Sequence, residues 1–293
     1  HRDHKHSDFV SALGYSLGYL GGGLLFALNV TMGLYPQSFG LADASQAVRI
    51  CFLMVAMWWA VFSIPLWLWV EEPIPANPPK SWRAISGGYH QLIETFREIR
   101  RLRTTLIFLI GYWLYIDGVD TIVRMAIDYG MSIGFETDNL LLALGITQFV
   151  GFPAAIVFGK IGERTGTRTG LFIGIAAYIG VTVWGYFINE IWEFYLLATA
   201  IGLVQGGVQA LSRSLYSRLI PRERAAEFFG FYNMLGKFAA VIGPALMGWA
   251  AVLTGNPRFG ILSIVILFVA GGICLWFVDE QEGIDAVQKL EAG

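Results

Sequence analysis

Eight apolar stretches, at residues 9–32, 48–70, 104–128, 138–160, 169–188, 193–216, 227–253 and 259–278, constrain this chain more than any other feature of its sequence. A bilayer core about 30 Å thick is crossed by roughly 20 apolar residues of helix. Backbone inside lipid must satisfy its own hydrogen bonds, which a helix does within one segment. The expected fold class is therefore an all-α polytopic membrane protein with eight transmembrane helices. Composition agrees, since 55% of the 293 residues are hydrophobic and 14% are charged, against about 25% charged in soluble chains. This balance excludes disorder, and a net charge of −2 provides no basic surface for nucleic acid. The first stretch is too long for a signal peptide and no small-residue cleavage site follows it, so it reads as a true span. Cys51 and Cys274 both lie in apolar runs, which leaves no basis for a disulfide framework or a zinc site. No cofactor is expected.

Loop charge orients the spans. One set of connections, beginning with Arg2 and Lys5 and including Arg97, Arg100, Arg101, Arg103, Lys160, Arg164, Arg168, Arg218, Arg222 and Arg224, carries sixteen Lys and Arg. The opposite set carries two, Arg49 and Arg258. Basic residues near span ends stay on the cytoplasmic side, so both termini of this chain are expected there. The longest polar segment, 71–103, separates two spans (1–70) from six (104–278), and 279–293 reads as a cytoplasmic tail. That segment opens on Glu71-Glu72-Pro73-Ile74-Pro75, where the prolines favour extended chain. After Ser81, Ile85, Tyr89, Leu92, Phe96 and Ile99 recur at helical spacing beside a cluster of arginines. An amphipathic helix on the inner membrane surface is expected there, as an interfacial linker or as the docking point of a partner. His1, Asp3, His4 and His6 suit a solvated loop better than a metal site.

The connection after the fourth span reads Gly159-Lys160-Ile161-Gly162-Glu163-Arg164-Thr165-Gly166-Thr167-Arg168. Its glycines permit a tight turn between helix ends that carry an acid and several bases able to pair. It resembles the major facilitator superfamily signature, Gly-x-x-x-(Asp/Glu)-Arg-x-Gly-x-(Arg/Lys), with Thr167 where a base is common. That superfamily places the motif between helices two and three and between eight and nine. In the second register, the 71–103 segment falls where the superfamily has its central linker. The chain then resembles helices five to twelve of a twelve-helix transporter, with the first four missing. A narrower likeness lies in Gly14-Tyr15-Ser16-Leu17-Gly18-Tyr19-Leu20-Gly21-Gly22, in Gly202 to Leu215, and in Glu227-Phe228-Phe229-Gly230-Phe231-Tyr232 followed by Lys237 and Gly243-Pro244. These resemble the family of the fungal vacuolar amino-acid effluxer linked to autophagy and its bacterial members. The resemblance implies secondary transport by alternating access, with an amino acid as small-molecule substrate, protons as the coupling ion, and a site between two bundles. It leaves a two-helix remnant of the first bundle, so on this reading the chain alone does not transport. Compact outer loops favour a bacterial plasma membrane.

Ionisable side chains within the bilayer are costly unless paired or hydrated, and each is a functional candidate. Asp117, Asp120 and Arg124 share one helical face of the third span. Asp117 lies deepest, about 20 Å from Arg103 along the axis, and is expected to bind substrate or carry a proton. Asp120 and Arg124 are expected either to join it or to form a simple ion pair. Asn233 and Lys237 lie in the seventh span, Lys237 at a depth comparable to Asp117, so the two charges suggest a pair, functional or merely structural. Gln205, Gln209 and Ser212 form a polar stripe beside Gly206-Gly207, where the glycines admit a ligand or simply close packing. Gln148 is a further polar candidate. Arg213 is expected to snorkel or to join a gate. Gly14, Gly18 and Gly22 suggest a seam of tight helix contact, and Gly243-Pro244 a kink. Gly159, Glu163, Arg164, Gly166 and Arg168 form the candidate gating loop. A membrane enzyme would need convergent nucleophiles, acids or metal ligands, which the short outer loops and scarce histidines do not offer. A non-transporting scaffold or receptor is the remaining alternative, and buried charges have little purpose in one.

Overall fold

A computed structural model of the chain describes residues 2–70 and 81–292, with side-chain environments for 9–70 and 87–291. The proline-rich stretch 71–80 and the side chains of His1, Asp3, His4 and His6 lie outside the described residues. Every regular element among the described residues is helical: α1 (Arg2–Leu34), α2 (Ala44–Trp69), α3 (Ser81–Arg101), α4 (Arg103–Ser132), α5 (Thr137–Thr165), α6 (Thr167–Phe187), α7 (Ile191–Arg218), α8 (Ala225–Phe238), α9 (Ile242–Thr254), α10 (Pro257–Ser263), α11 (Val265–Trp276) and α12 (Glu280–Ala292). Eight segments are long and apolar enough to cross a membrane, with α8–α9 and α10–α11 each counting as one. They coincide with the eight apolar stretches and suit an integral multi-pass membrane protein.

The chain forms two compact units, residues 21–89 and residues 1–20 with 90–293. In the smaller, the second half of α1 pairs with α2. Trp58 packs near Gly21 and against the Phe62 ring, while Trp59, Trp67 and Trp69 point outward. The core of the larger lies among α4, α5, α6, α7 and α11. Missing side chains let these helices approach closely. A Cβ on Gly202 would stand 2.8 Å from the Thr147 carbonyl of α5, and one on Gly207 would stand 2.2 Å from the Phe158 ring. Gly162 and Gly170 close in the same way around Leu211.

One sequence expectation sharpens here and another changes. The signature segment is helical up to Thr165, and a single residue, Gly166 with φ +91°, turns the chain into α6. Only glycine adopts that backbone readily. The seventh span is two helices rather than one kinked helix. It stops at Phe238 and resumes at Ile242, and Gly243-Pro244 sits in the first turn of α9, where the missing proline N–H costs nothing.

The basic connections converge on one end of the larger unit. There α3 docks through a polar edge: Gln91 and Thr95 donate to Glu227 at 2.6 and 3.2 Å, and Glu98 pairs with Arg224. Ile99 is fully buried. The linker helix is therefore fixed to the bundle as well as suited to a lipid surface. The tail folds as α12 (Glu280–Ala292), tied by Arg218 to Glu280 at 2.7 Å and by burial of Val287. At the other end the ties are mostly neutral, from Tyr129 to the Gly185 carbonyl and from Tyr195 to Asn139. Arg258 there donates to the Tyr186 carbonyl and to Asn189.

Candidate functional site

A cavity of about 930 Å³ opens inside the larger unit between the first part of α1, α5, α7 and the start of α8. The wall from α7 is set by its period. Gln205, Gln209 and Arg213, four residues apart, line the space together. Ser212 does not continue this stripe, because its hydroxyl turns to the Tyr115 hydroxyl, 2.7 Å away on α4, and to the Val208 carbonyl. α5 contributes Gln148 and α8 contributes Phe229.

The α1 wall consists of Val10, Ser11, Gly14, Tyr15, Gly18 and Tyr19. It is anchored by Ser11 to the Ala210 carbonyl at 3.0 Å and by Ser16 to the Phe152 carbonyl at 2.8 Å. The expected glycine seam is not a close contact. A Cβ on Gly14, Gly18 or Gly22 would meet nothing within 4 Å among the described residues, and the first two form smooth wall instead. Close approach occurs at the other glycine pair, where Tyr19 lies 2.8 Å from a Cβ built on Gly206. Gly206-Gly207 thus serve packing, and the ring they admit brings a phenol to the cavity. Tyr19 donates to Gln209 Oε1 at 3.2 Å.

The electrostatics of the lining are one-sided. Arg213 is its one cation among the described residues, and no lining residue is acidic. Its guanidinium sits 5.3 Å over the Phe229 ring and beside the Tyr15 phenol. Gln205 is 9% exposed, and its Oε1 is buried without a hydrogen-bond partner. Asp120 lies within electrostatic range of the Tyr15 and Tyr19 phenols without lining the space.

The other candidates lie on α4 and α8. Asp117 is fully buried and accepts from the Ile242 and Gly243 amides at 3.0 and 2.8 Å and from Thr121 at 3.2 Å. It caps the first turn of α9, where unpaired N–H groups and the helix dipole both favour an anion. A Cβ on Gly243 would fall 1.9 Å from Thr121 Oγ1, so only glycine fits beneath this cap. Asp117 does not pair with Lys237. Lys237 and Asn233 are exposed on α8, because equal depth in two helices does not make their side chains face each other. Asp120 and Arg124 form an i,i+4 contact of 3.6 Å with Arg124 60% exposed, the simple pair that was one of the two expectations.

In the signature segment, Gly159 is buried, Glu163 half-buried and Arg164 exposed. The tie between helices is made by Arg168, which donates to the Trp276 carbonyl at the end of α11 and lies 5.7 Å over Phe172. A cation there also favours the negative end of the α11 dipole.

A sequence profile described as "Vacuole effluxer Atg22 like" matches residues 1–288. An uncharacterized MFS-type transporter, YxiO of Bacillus subtilis, is 38% identical over 97% of this chain and 66% of its own length. Autophagy-related protein 22 of Gibberella zeae is 29% identical over 96% of this chain and 46% of its own. The protein of that name in Yarrowia lipolytica is 26% identical over 96% and 52%. The chain spans about half the length of these fungal relatives and just under two thirds of the bacterial one.

Proposed function

The chain belongs to the Atg22-like vacuole effluxer family, and on that premise we propose that it provides the solute path of a secondary transporter working by alternating access. The observation that carries the reading is the cavity of about 930 Å³, walled by phenols, carboxamides and a guanidinium inside a unit built around a large apolar cluster. Polar groups inside a membrane protein are expensive unless they meet a hydrated path or a ligand. The wall from α1 is glycine-lined beside the cavity and is tied to α7 by the Ser11 and Tyr19 hydroxyls, so those are the contacts that movement of one surface against the other would exchange.

The substrate proposed is an amino acid and the coupling ion a proton, with Asp117 as its carrier. Protonation there would neutralise the charge facing the α9 amides and weaken the cap that holds the helix break, which links proton arrival to helix movement. The bacterial relative supports a bacterial plasma membrane as the location, with the basic end of the larger unit toward the cytoplasm.

Reconstitution into proteoliposomes of a protein of the relatives' full length that carries these 293 residues, under an imposed pH gradient, tests this with a panel of radiolabelled amino acids. Accumulation driven by the gradient is expected, and Asp117→Asn is expected to lose that accumulation while keeping solute exchange. Flux indistinguishable from empty liposomes for the whole panel would refute the transport reading. Gradient-driven accumulation unchanged in Asp117→Asn would remove Asp117 from coupling and leave transport standing.

A further inference from the structure

The lining of the cavity carries one cation and no acidic residue among the described residues. Resting on the transport reading of that cavity, we propose that the site selects its solute by a carboxylate, held by Arg213 and Gln209, and that an amine is a secondary feature read by Gln205. On this assignment the substrate class is monocarboxylates of moderate size, with amino acids one subset of it, and free amines are excluded.

The argument starts from what each group still has to offer. Gln209 Oε1 already accepts from Tyr19, so the free capacity of that side chain is its N–H₂ donor pair. Arg213 makes no ion pair among the described residues, Phe229 covers one face of its guanidinium, and the Tyr15 phenol engages one of its five N–H donors. Its N–H edge is the natural partner of a planar, two-oxygen anion. These donors are one helical step of four residues apart on α7, about 6 Å along the axis, so both address the same part of the cavity. Gln205, one step further, presents the opposite character. Its Oε1 is buried with no partner at the cavity wall, and a buried acceptor left unmade is costly, so a turn of the side chain that brings this oxygen to a ligand N–H removes a penalty. No carboxylate lines the cavity, so nothing there compensates the dehydration of an ammonium as fully as Arg213 compensates that of a carboxylate.

A matched set of probes separates the two ends: L-phenylalanine, 3-phenylpropionate, L-phenylalaninamide and 2-phenylethylamine. Binding is read as ligand-induced thermal stabilisation of the purified protein in detergent, independently of flux. Phenylalanine and phenylpropionate are expected to stabilise it, and the amide and amine are not. Arg213→Gln is expected to weaken both acids by about 10- to 100-fold, as loss of a charged hydrogen-bond pair implies. Arg213→Lys should recover part of that loss, since it restores charge without the two-pronged geometry. Gln205→Leu should weaken phenylalanine by about tenfold and leave phenylpropionate within twofold. Each variant's unliganded melting temperature, matching the wild type, excludes misfolding as the cause. Equal stabilisation by the amine and the acids, acid binding within twofold of wild type in Arg213→Gln, or no stabilisation by any probe would each overturn the assignment. Acid-selective binding without proteoliposome flux would uphold it while sinking the transport reading, and flux without acid selectivity would do the reverse.

Discussion

Helix α7 and the α8–α9 pair are neighbours in sequence and of similar span, yet they are built in opposite ways. α7 runs unbroken from Ile191 to Arg218, and Gly202 and Gly207 bring it against α5. Its backbone pairs with itself, so Gln205, Gln209 and Arg213 remain available to line a cavity. The α8–α9 pair is interrupted after Phe238, and the N–H groups exposed by the break are taken by the Asp117 carboxylate of α4. A polar side chain within the membrane can therefore have either of two purposes. On α7 it faces open space, and beside α9 it completes another helix's backbone.

The largest expected effect tests the close-packed half of this contrast. Gly207→Val would drive methyl groups into the Phe158 ring, where even a Cβ stands 2.2 Å away. Overpacking of that kind costs about 3 kcal/mol, enough to remove most monodisperse protein from gel filtration in detergent. Normal yield would mean that α5 and α7 can separate cheaply. A middle effect tests the interrupted half. Asp117→Ala leaves the Ile242 and Gly243 amides unpaired at a cost of about 2 kcal/mol, whereas Asp117→Asn keeps an acceptor and should cost less than half as much. Thermal unfolding of the two variants should rank them in that order, and equal melting temperatures would mean the cap contributes nothing to the break. The smallest effect on stability belongs to Gly18→Ala on the α1 wall. Its Cβ meets no neighbour within 4 Å, and alanine gains up to about 1 kcal/mol of helix propensity over glycine. The melting temperature should hold or rise slightly, while transport slows because the methyl group narrows the cavity. A destabilised Gly18→Ala would show that the seam closes against another helix after all.

Much of the fold was legible because each span needs only its own residues. The stretches at 104–128 and 193–216 announce α4 and α7 to within a few residues, and Gly166 marks the turn after α5 by a requirement no other residue meets easily. The candidate site was legible in part. Gln148, Gln205 and Gln209 line the cavity as polar residues in apolar runs suggest. Tyr15 and Tyr19 are hidden as lining residues because the glycines around them suggest a packed seam, although an aromatic following each of two glycines is a visible signal for rings set on a smooth wall. Arg213 was placed by its distance from a helix end, and depth along one axis says nothing about Phe229 or Tyr15 on other helices. The proposed meeting of Asp117 with Lys237 failed for the same reason.

The sequence by itself determined that this chain crosses a membrane on eight helical stretches, which ends of them are basic, and which family it joins. Hydropathy, charge and motif spacing are local properties, and a bilayer responds to them one window at a time. Only the tertiary structure decided that the seventh stretch breaks. Gly243-Pro244 announces a disturbance there, but whether the helix bends or stops rests on the carboxylate that makes the break tolerable, which lies 125 positions away. The same holds for the cavity, which exists because side chains from four helices stop short of one another.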